Sequence, residues 1–425
     1  MVLIVSLIFI FGYAAIALEH PIKINKAASA LVTGVLCWTV FSLFTPDKEH
    51  VVESLTEHLG DVAGILFFLL GAMVIVELID AHDGFEIITD RIQTKSKKKM
   101  VWIIGIITFF LSAVLDNLTT TIVIVSLLRK IIPSNKERLL FAGLVVISAN
   151  AGGAWSPIGD VTTTMLWIGG QISAGNIIMK TFIASFVCFA IPATIISLQV
   201  KGELEKPKPA TPNLSSLPGE RKAVFFIGIC ALLFVPIFKT ITHLPPYMGI
   251  LFGLGIMWIV TEMIHSEKDE RDKDILSVNY ALRKIDSPSI LFFLGILISV
   301  SALQSIGVLR EMALWMNQGI GDIRIITISI GLLSSIVDNV PLVAAAQGMY
   351  GMDQFPKDHY FWEFLAYCAG TGGSCLIIGS AAGVAAMGIE KIEFFWYLKK
   401  IAWLALIGYL AGAGAYLLEQ YLFHT

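Results

Sequence analysis

Runs of about twenty apolar residues recur along the whole chain, near 1–18, 27–45, 62–80, 139–168, 177–198, 222–238, 247–265, 288–306, 360–388 and 396–418. An α-helix of about 20 apolar residues crosses the roughly 30 Å hydrocarbon core of a bilayer. Inside that core every backbone polar group must be satisfied within the segment, so such runs become helices rather than open sheet edges. Ten of them make an all-α, polytopic membrane protein whose partner is the lipid bilayer. Charge agrees: 15% of residues are Asp, Glu, Lys or Arg, against about a quarter in soluble domains. The net charge of −3 offers no basic surface to a nucleic acid. Met1–Leu18 lacks a basic n-region and a small-residue cleavage site, so it reads as the first span rather than a cleaved signal. The five cysteines fall in apolar runs without CxxC spacing and read as small core hydrophobes.

Two further apolar stretches, Met100–Leu128 and Ile323–Met349, are not ordinary spans, because each carries an Asp-Asn pair near its middle, Asp116-Asn117 and Asp338-Asn339. Lys97, Lys98 and Lys99 precede the first stretch, and Arg129 and Lys130 follow it. The limb before Asp116 is about 25 Å long and the limb after it about 18 Å at ~1.5 Å per residue, too short for two crossings and too long together for one. A re-entrant helical hairpin satisfies both lengths, with its tip near mid-membrane and buried in protein. The expected hairpins cover about 100–130 and 323–349, and the expected interrupted spans about 139–168 and 360–388. With this layout 24 of the 30 Lys and Arg residues share one side, which the positive-inside rule makes cytoplasmic. Both termini are then expected outside.

The sequence also repeats itself. Ile65-Leu66-Phe67-Phe68-Leu69 recurs at Ile290-Leu291-Phe292-Phe293-Leu294. Leu111-Ser112-Ala113-Val114-Leu115-Asp116-Asn117 returns as Leu333-Ser334-Ser335-Ile336-Val337-Asp338-Asn339. Gly152-Gly153 with Gly159 returns as Gly372-Gly373 with Gly379. The expected organisation is a first repeat at 1–200 and a second at 222–425, joined by a cytoplasmic Pro-containing linker at 201–221. Each repeat holds five spans and one hairpin, and an odd number of crossings inverts the second copy. Inverted repeats with paired broken helices point to a secondary transporter with a midplane site.

Asp116 and Asp338 carry the chemistry in this reading. A carboxylate at the bilayer centre costs a few kcal/mol and persists when it has a cation or a task. A helix cap alone is met by Ser or Thr at lower desolvation cost. Asn117 and Asn339 add amide oxygens. In the first interrupted span, Ser148 to Thr164, the glycines and Pro157 are expected to break the helix and free its carbonyls as hard oxygen ligands. Asp160 adds a carboxylate there, and Asn150, Thr162 and Thr163 add neutral oxygens. Thr164 and Thr119–Thr121 read as bonded back to their own helices. The second interrupted span keeps its glycines but places Ser380 where the first has Asp160, with Ser374 as a further neutral ligand. Glu77, Asp80, His82 and Asp83 read as solvated groups at the end of a span, with Glu77 and His82 as an alternative route for the proton. Glu262 and His265 read as ordinary interfacial residues.

The runs Leu115-Asp116-Asn117-Leu118-Thr119-Thr120-Thr121, Ser148 to Ala154 with Gly159 to Thr164, and Val337-Asp338-Asn339-Val340-Pro341 resemble the NhaD-type sodium/proton antiporters of the ion transporter superfamily. The resemblance implies a homodimer with a scaffold and a mobile transport unit working in an elevator-like way, and exchange of Na⁺ or Li⁺ for H⁺. By motif match it implies Asp116, Asn117, Asn150, Asp160, Thr162, Thr163, Asp338 and Asn339 as functional residues, with Asp116, Asn117 and Asp160 on Na⁺. The proton is then carried among Asp116, Asp160, Asp338 and Glu77. The alternative is an anion transporter of the same superfamily, exporting arsenite or taking up carboxylates with Na⁺. Anion sites favour Arg, hydroxyls and helix N-termini, and no Arg lies inside an expected span. No metal or nucleophile motif marks an enzyme, and no cofactor is implied. The expected location is the inner membrane of a prokaryote or an organelle membrane.

Overall fold

A computed structural model describes residues 1–89, 94–132, 134–203, 217–266 and 268–423. Most of the expected linker, 204–216, lies outside the described residues. The described residues are helical, in seventeen helices of eight or more residues joined by short turns. In chain order these are α1 Val2–Ala17, α2 Lys26–Phe44, α3 Lys48–Ala81, α4 Lys97–Ser112, α5 Asn117–Ile131, α6 Asn135–Gly153, α7 Val161–Ile168 and α8 Ala174–Gln199. They continue as α9 Pro218–Thr242, α10 Pro246–Ile264, α11 Ser287–Ser305, α12 Val308–Gly319, α13 Ile323–Leu333, α14 Asn339–Met349, α15 Tyr360–Gly372, α16 Ala381–Glu390 and α17 Trp403–Phe423. Among the described residues, α2, α3, α8, α9, α10, α11 and the stretch Phe394–Leu422 that ends in α17 are long and apolar enough to cross a membrane. The chain is a multi-pass, all-α membrane protein.

Two elements depart from the sequence expectation. Helix α3 starts at Lys48, well before the apolar run at 62–80, and its 34 residues extend to about 51 Å at 1.5 Å per residue. The early turns carry Glu49, Glu53, Glu57, His58 and Asp61, which hide them from a hydropathy reading. Nothing in them breaks a helix, and Asp47 caps the start by accepting from the His50 amide at 3.0 Å. Helix α12 was not expected at all. Arg310 and Glu311 lower its hydropathy, and it packs on α11 and α14 as an amphipathic segment. Of the cysteines, Cys37, Cys188, Cys368 and Cys375 are buried as expected, whereas Cys230 is exposed on α9.

The helices pack in two units. In one, α2 lies against α1 and α11, and α3 lies against α9, α10 and α11. In the other, α4 and α5 pack on α6, α13 packs on α15, α5 packs on α16, and α8 packs on α17. Contact between the units runs through α14 against α11 and α12, and through α7 against α3. Lipid supplies no hydrophobic drive between helices, so close packing has to carry association. Gly152 and Gly372 show how: a Cβ at Gly152 would collide with the Phe109 carbonyl of α4, and one at Gly372 with the Gly331 carbonyl of α13. These glycines therefore end α6 and α15 in close contact with a neighbouring backbone. The breaks fall where the glycines were expected to place them, with the chain resuming its helices at Val161 and Ala381.

The second unit is tied at one end by charge. Glu390, at the end of α16 and with a nearly fully buried side chain, accepts from Arg129 Nε of α5 at 2.8 Å and from Arg138 Nε of α6 at 2.6 Å. Arg129 also donates to the Ile389 carbonyl. Guanidinium groups suit this shared carboxylate because their planar donors reach both oxygens. Elements about 250 residues apart in sequence are thus held around the broken helices.

Candidate functional site

Three helix starts converge on one cavity. The gap between α4 and α5 brings Asp116 and Asn117, the gap between α6 and α7 brings Asp160, and the gap between α13 and α14 brings Asp338 and Asn339. Each aspartate is an N-cap, because a helix start in a protein interior needs acceptors for its free N–H groups. Asp116 accepts from Thr119 N at 2.8 Å and from Thr119 Oγ1 at 2.7 Å. Asp160 accepts from Thr162 N and Thr162 Oγ1, both at 2.8 Å. Asp338 is held less tightly, with Val340 N at 3.4 Å. Capping explains the position of these groups. It does not explain three charged caps around one cavity in a membrane protein, where neutral hydroxyls cap at lower cost.

The backbone of Asp116 is strained, with φ 149° and ψ 161°, a region almost exclusive to glycine. Such a conformation costs about 1–3 kcal/mol and persists only where its surroundings over-determine it. Here the two Thr119 bonds and the Asp116 carbonyl, which accepts from Thr120 N at 3.0 Å, hold it in place.

Behind the carboxylates runs a buried amide relay. Asn117 Nδ2 donates to Asp160 Oδ2 at 2.6 Å and to Asn150 Oδ1 at 3.0 Å. Asn150 Nδ2 in turn donates to Ser374 Oγ and Ser380 Oγ, both at 2.8 Å. Ser380 caps α16 by accepting from Gly383 N at 3.1 Å. Asn117, Asn150, Asp160, Ser374 and Ser380, all expected from the sequence, are therefore one hydrogen-bonded group.

Other expected residues are placed differently. Thr162 binds Asp160, but Thr163 donates back to the Asp160 carbonyl at 2.8 Å and is not among the residues lining the cavity. Thr164, expected to bond back to its own helix, lines the cavity and donates to the Pro157 carbonyl at 3.0 Å. The free carbonyls expected in the break are largely taken by hydroxyls: Ala154 O by Thr181 at 3.3 Å, Pro157 O by Thr164, and Asp160 O by Thr163. The oxygen supply of the site is thus carried by side chains.

Glu77 stands apart from the cavity and pairs with Lys284 at 3.9 Å. His82, expected to be solvated, is buried. Its Nδ1 lies 2.6 Å from the Leu78 carbonyl and its Nε2 lies 3.2 Å from His265 Nε2, on the end of the neighbouring helix. Burial pushes the His82 imidazole down to about 4 and lowers His265 as well. His82 is therefore neutral through the physiological range, which removes it as a sensor near pH 7. Among the described residues lining the cavity, one charged residue was not expected. Lys26, at the start of α2, extends its ammonium into it, 3.8 Å from Asp338 Oδ2.

The chain matches the family described as citrate transporter, CitMHS, over residues 13–370. It is 51% identical over 414 residues to Sodium/proton antiporter 1 of Arabidopsis thaliana, covering 97% of this chain and 71% of that protein. It is 29% identical to the Na⁺/H⁺ antiporter NhaD of Alkalimonas amylolytica, covering 98% of this chain and 90% of that one. Among solved structures, the Alcanivorax borkumensis YdaH transporter shares the fold at a TM-score of 0.56 and 11% identity, over 89% of this chain and 90% of that chain.

Proposed function

The chain belongs to the NhaD-type sodium/proton antiporters within the citrate transporter family, and from that premise we propose that it exchanges Na⁺ or Li⁺ for H⁺ across the membrane by alternating access. The unit of α4–α8 and α13–α17 moves as an elevator against the unit of α1–α3 and α9–α11. The two halves of the chain act as inverted repeats, and two copies of the chain form the working dimer. Both termini face away from the cytoplasm in a prokaryotic inner membrane or an organelle membrane.

The observation that carries this reading is the meeting of Asp116, Asp160 and Asp338 around one cavity. Carboxylate and amide oxygens are hard ligands suited to a small alkali cation. Carboxylates crowded in a poorly solvated centre cannot all stay ionised, so Na⁺ and a proton compete for them. Asp116, Asn117 and Asp160 hold the cation, with Asp338 and Asn339 closing the site from the second half. The Asn150, Ser374 and Ser380 relay positions Asn117, and Thr162 positions Asp160.

The name of the matched family favours a second reading, transport of citrate. Citrate itself carries three carboxyl groups, and among the described residues lining the cavity one lysine against three aspartates leaves a surplus of negative charge against it. Purified full-length protein in proteoliposomes with a fluorescent internal pH probe decides between them. Proton movement on adding Na⁺ or Li⁺, with none on adding K⁺, citrate or arsenite, is the expected result. A response to citrate alone overturns the exchange reading.

A further inference from the structure

Among the described residues lining the cavity, Lys26 is the one cationic side chain. Its position is built. The Lys26 backbone N–H donates to Glu19 Oε1 at 3.1 Å and Asn25 caps the helix through the Ala27 amide at 2.8 Å, which fixes the start of α2. The ammonium then sits 4.5 Å from the centre of the Phe292 ring of α11 and 3.8 Å from Asp338 Oδ2. Phe292 and Lys26 belong to one packing unit, since α2 and α11 lie side by side. Asp338, the cap of α14, belongs to the other. The ion pair therefore crosses the boundary that has to slip if one unit moves against the other. Asp338 is also the aspartate with the weakest cap bond, so its charge has room for an outside partner.

We propose that the Lys26–Asp338 pair is a latch that holds the two units together while the cavity holds no transported cation. This inference rests on the elevator reading above. A cation on the carboxylates repels the ammonium and takes over its electrostatic role, so loading frees the latch. The empty unit, which must not cross if exchange is to stay coupled, is the one that keeps it. A partly exposed ion pair like this one is worth about 0.2–1 kcal/mol, and it gains here from the aromatic seat of the ammonium. That range converts to a bias of about 1.4- to 5-fold against movement of the empty unit, enough to register in flux and small enough for a cation to undo.

The test uses full-length protein in proteoliposomes loaded with ²²Na⁺, voltage clamped, with no pH gradient and at alkaline pH, where return with a proton is slowest. Efflux into Na⁺-free medium requires return of the empty unit, whereas efflux into Na⁺ medium does not. Wild type should run faster with external Na⁺. K26Q should raise the ratio of efflux into Na⁺-free medium to efflux into Na⁺ medium by about 1.4- to 5-fold. K26R should behave as wild type. F292L keeps the charge and loses only the ring, so it should shift the ratio the same way by less, and it remains informative if K26Q inserts poorly. An unchanged ratio in both K26Q and F292L, with Na⁺/Na⁺ exchange intact, overturns the latch alone. Absence of any Na⁺ flux in wild type overturns the exchange reading itself.

Discussion

Replacing Asp160 by asparagine separates the charge of the site from its architecture. Asp160 is almost fully buried and serves two partners: Oδ1 caps α7 through Thr162, and Oδ2 accepts from Asn117 at 2.6 Å. In Asp160→Asn the amide oxygen keeps the cap, and the new NH₂ meets the NH₂ of Asn117. Asn117 then has to turn its amide, which forces Asn150 to turn, and the change ends at Ser374 and Ser380, whose hydroxyls rotate from acceptor to donor. The relay absorbs most of the substitution, since the groups from the new amide to the two serines keep donor–acceptor pairing, and the cost should be about 1 kcal/mol. Asp160→Ala has no such escape. It loses the cap, worth about 0.5–2 kcal/mol, and leaves one of the two Asn117 amide N–H donors without its acceptor, worth about 1–3 kcal/mol. Melting of the purified protein in detergent, read by intrinsic fluorescence, should place Asp160→Asn close to wild type and Asp160→Ala well below it. Neither variant should exchange Na⁺ for H⁺. Equal destabilisation of the two would refute the relay, and full exchange by Asp160→Asn would remove this carboxylate from the site.

Three further outcomes follow from the same geometry. Asp116→Asn retains an oxygen for the Thr119 amide and should insert and fold, yet lose Na⁺-driven proton movement in everted vesicles. Glu390→Gln takes the charge from a clamp shared by Arg129 and Arg138 far from the cavity; it should lower the melting temperature, because a nearly fully buried carboxylate with two guanidinium partners is removed, while Na⁺ affinity measured below the melting point stays near wild type. The lowered His82 value means the native state holds a neutral imidazole, so stability present above the unfolded value of 6.5 is lost as pH falls toward about 4; the melting temperature of wild type should drop between pH 7 and 5, and His82→Gln should flatten that drop.

The fold class and the centre of the candidate site were legible because charge inside an apolar run is costly and therefore informative. Asp116, Asp160 and Asp338 stand out for that reason, and Asn117 and Asn150 followed from their place in the same broken runs. Lys26 carried no such signal. It stands beside Lys23 at the start of a span, where a lysine ordinarily reaches for headgroups, and only tertiary packing turns it toward Asp338. Thr163 and Thr164 exchanged their expected places because the rotation of α7 about its axis is set by the Asp160 cap, which sequence spacing does not resolve. The glycines were legible as breaks, since the helices end at Gly153 and Gly372 and resume at Val161 and Ala381, but the close backbone contacts that Gly152 and Gly372 also make were not. Glu390 and its two arginines are about 250 residues apart, beyond any local pattern.

The central claim is that Na⁺ and H⁺ share the Asp116, Asp160 and Asp338 cavity rather than travelling by separate routes. Isothermal titration of Na⁺ into the purified full-length protein, repeated from neutral to alkaline pH, tests it most directly. If one proton leaves for each Na⁺ that binds, the Na⁺ dissociation constant should weaken about tenfold for each unit the pH falls below the proton's dissociation range. A dissociation constant that does not change with pH would contradict shared-site competition and move the proton to another group, with Glu77 the first to be examined.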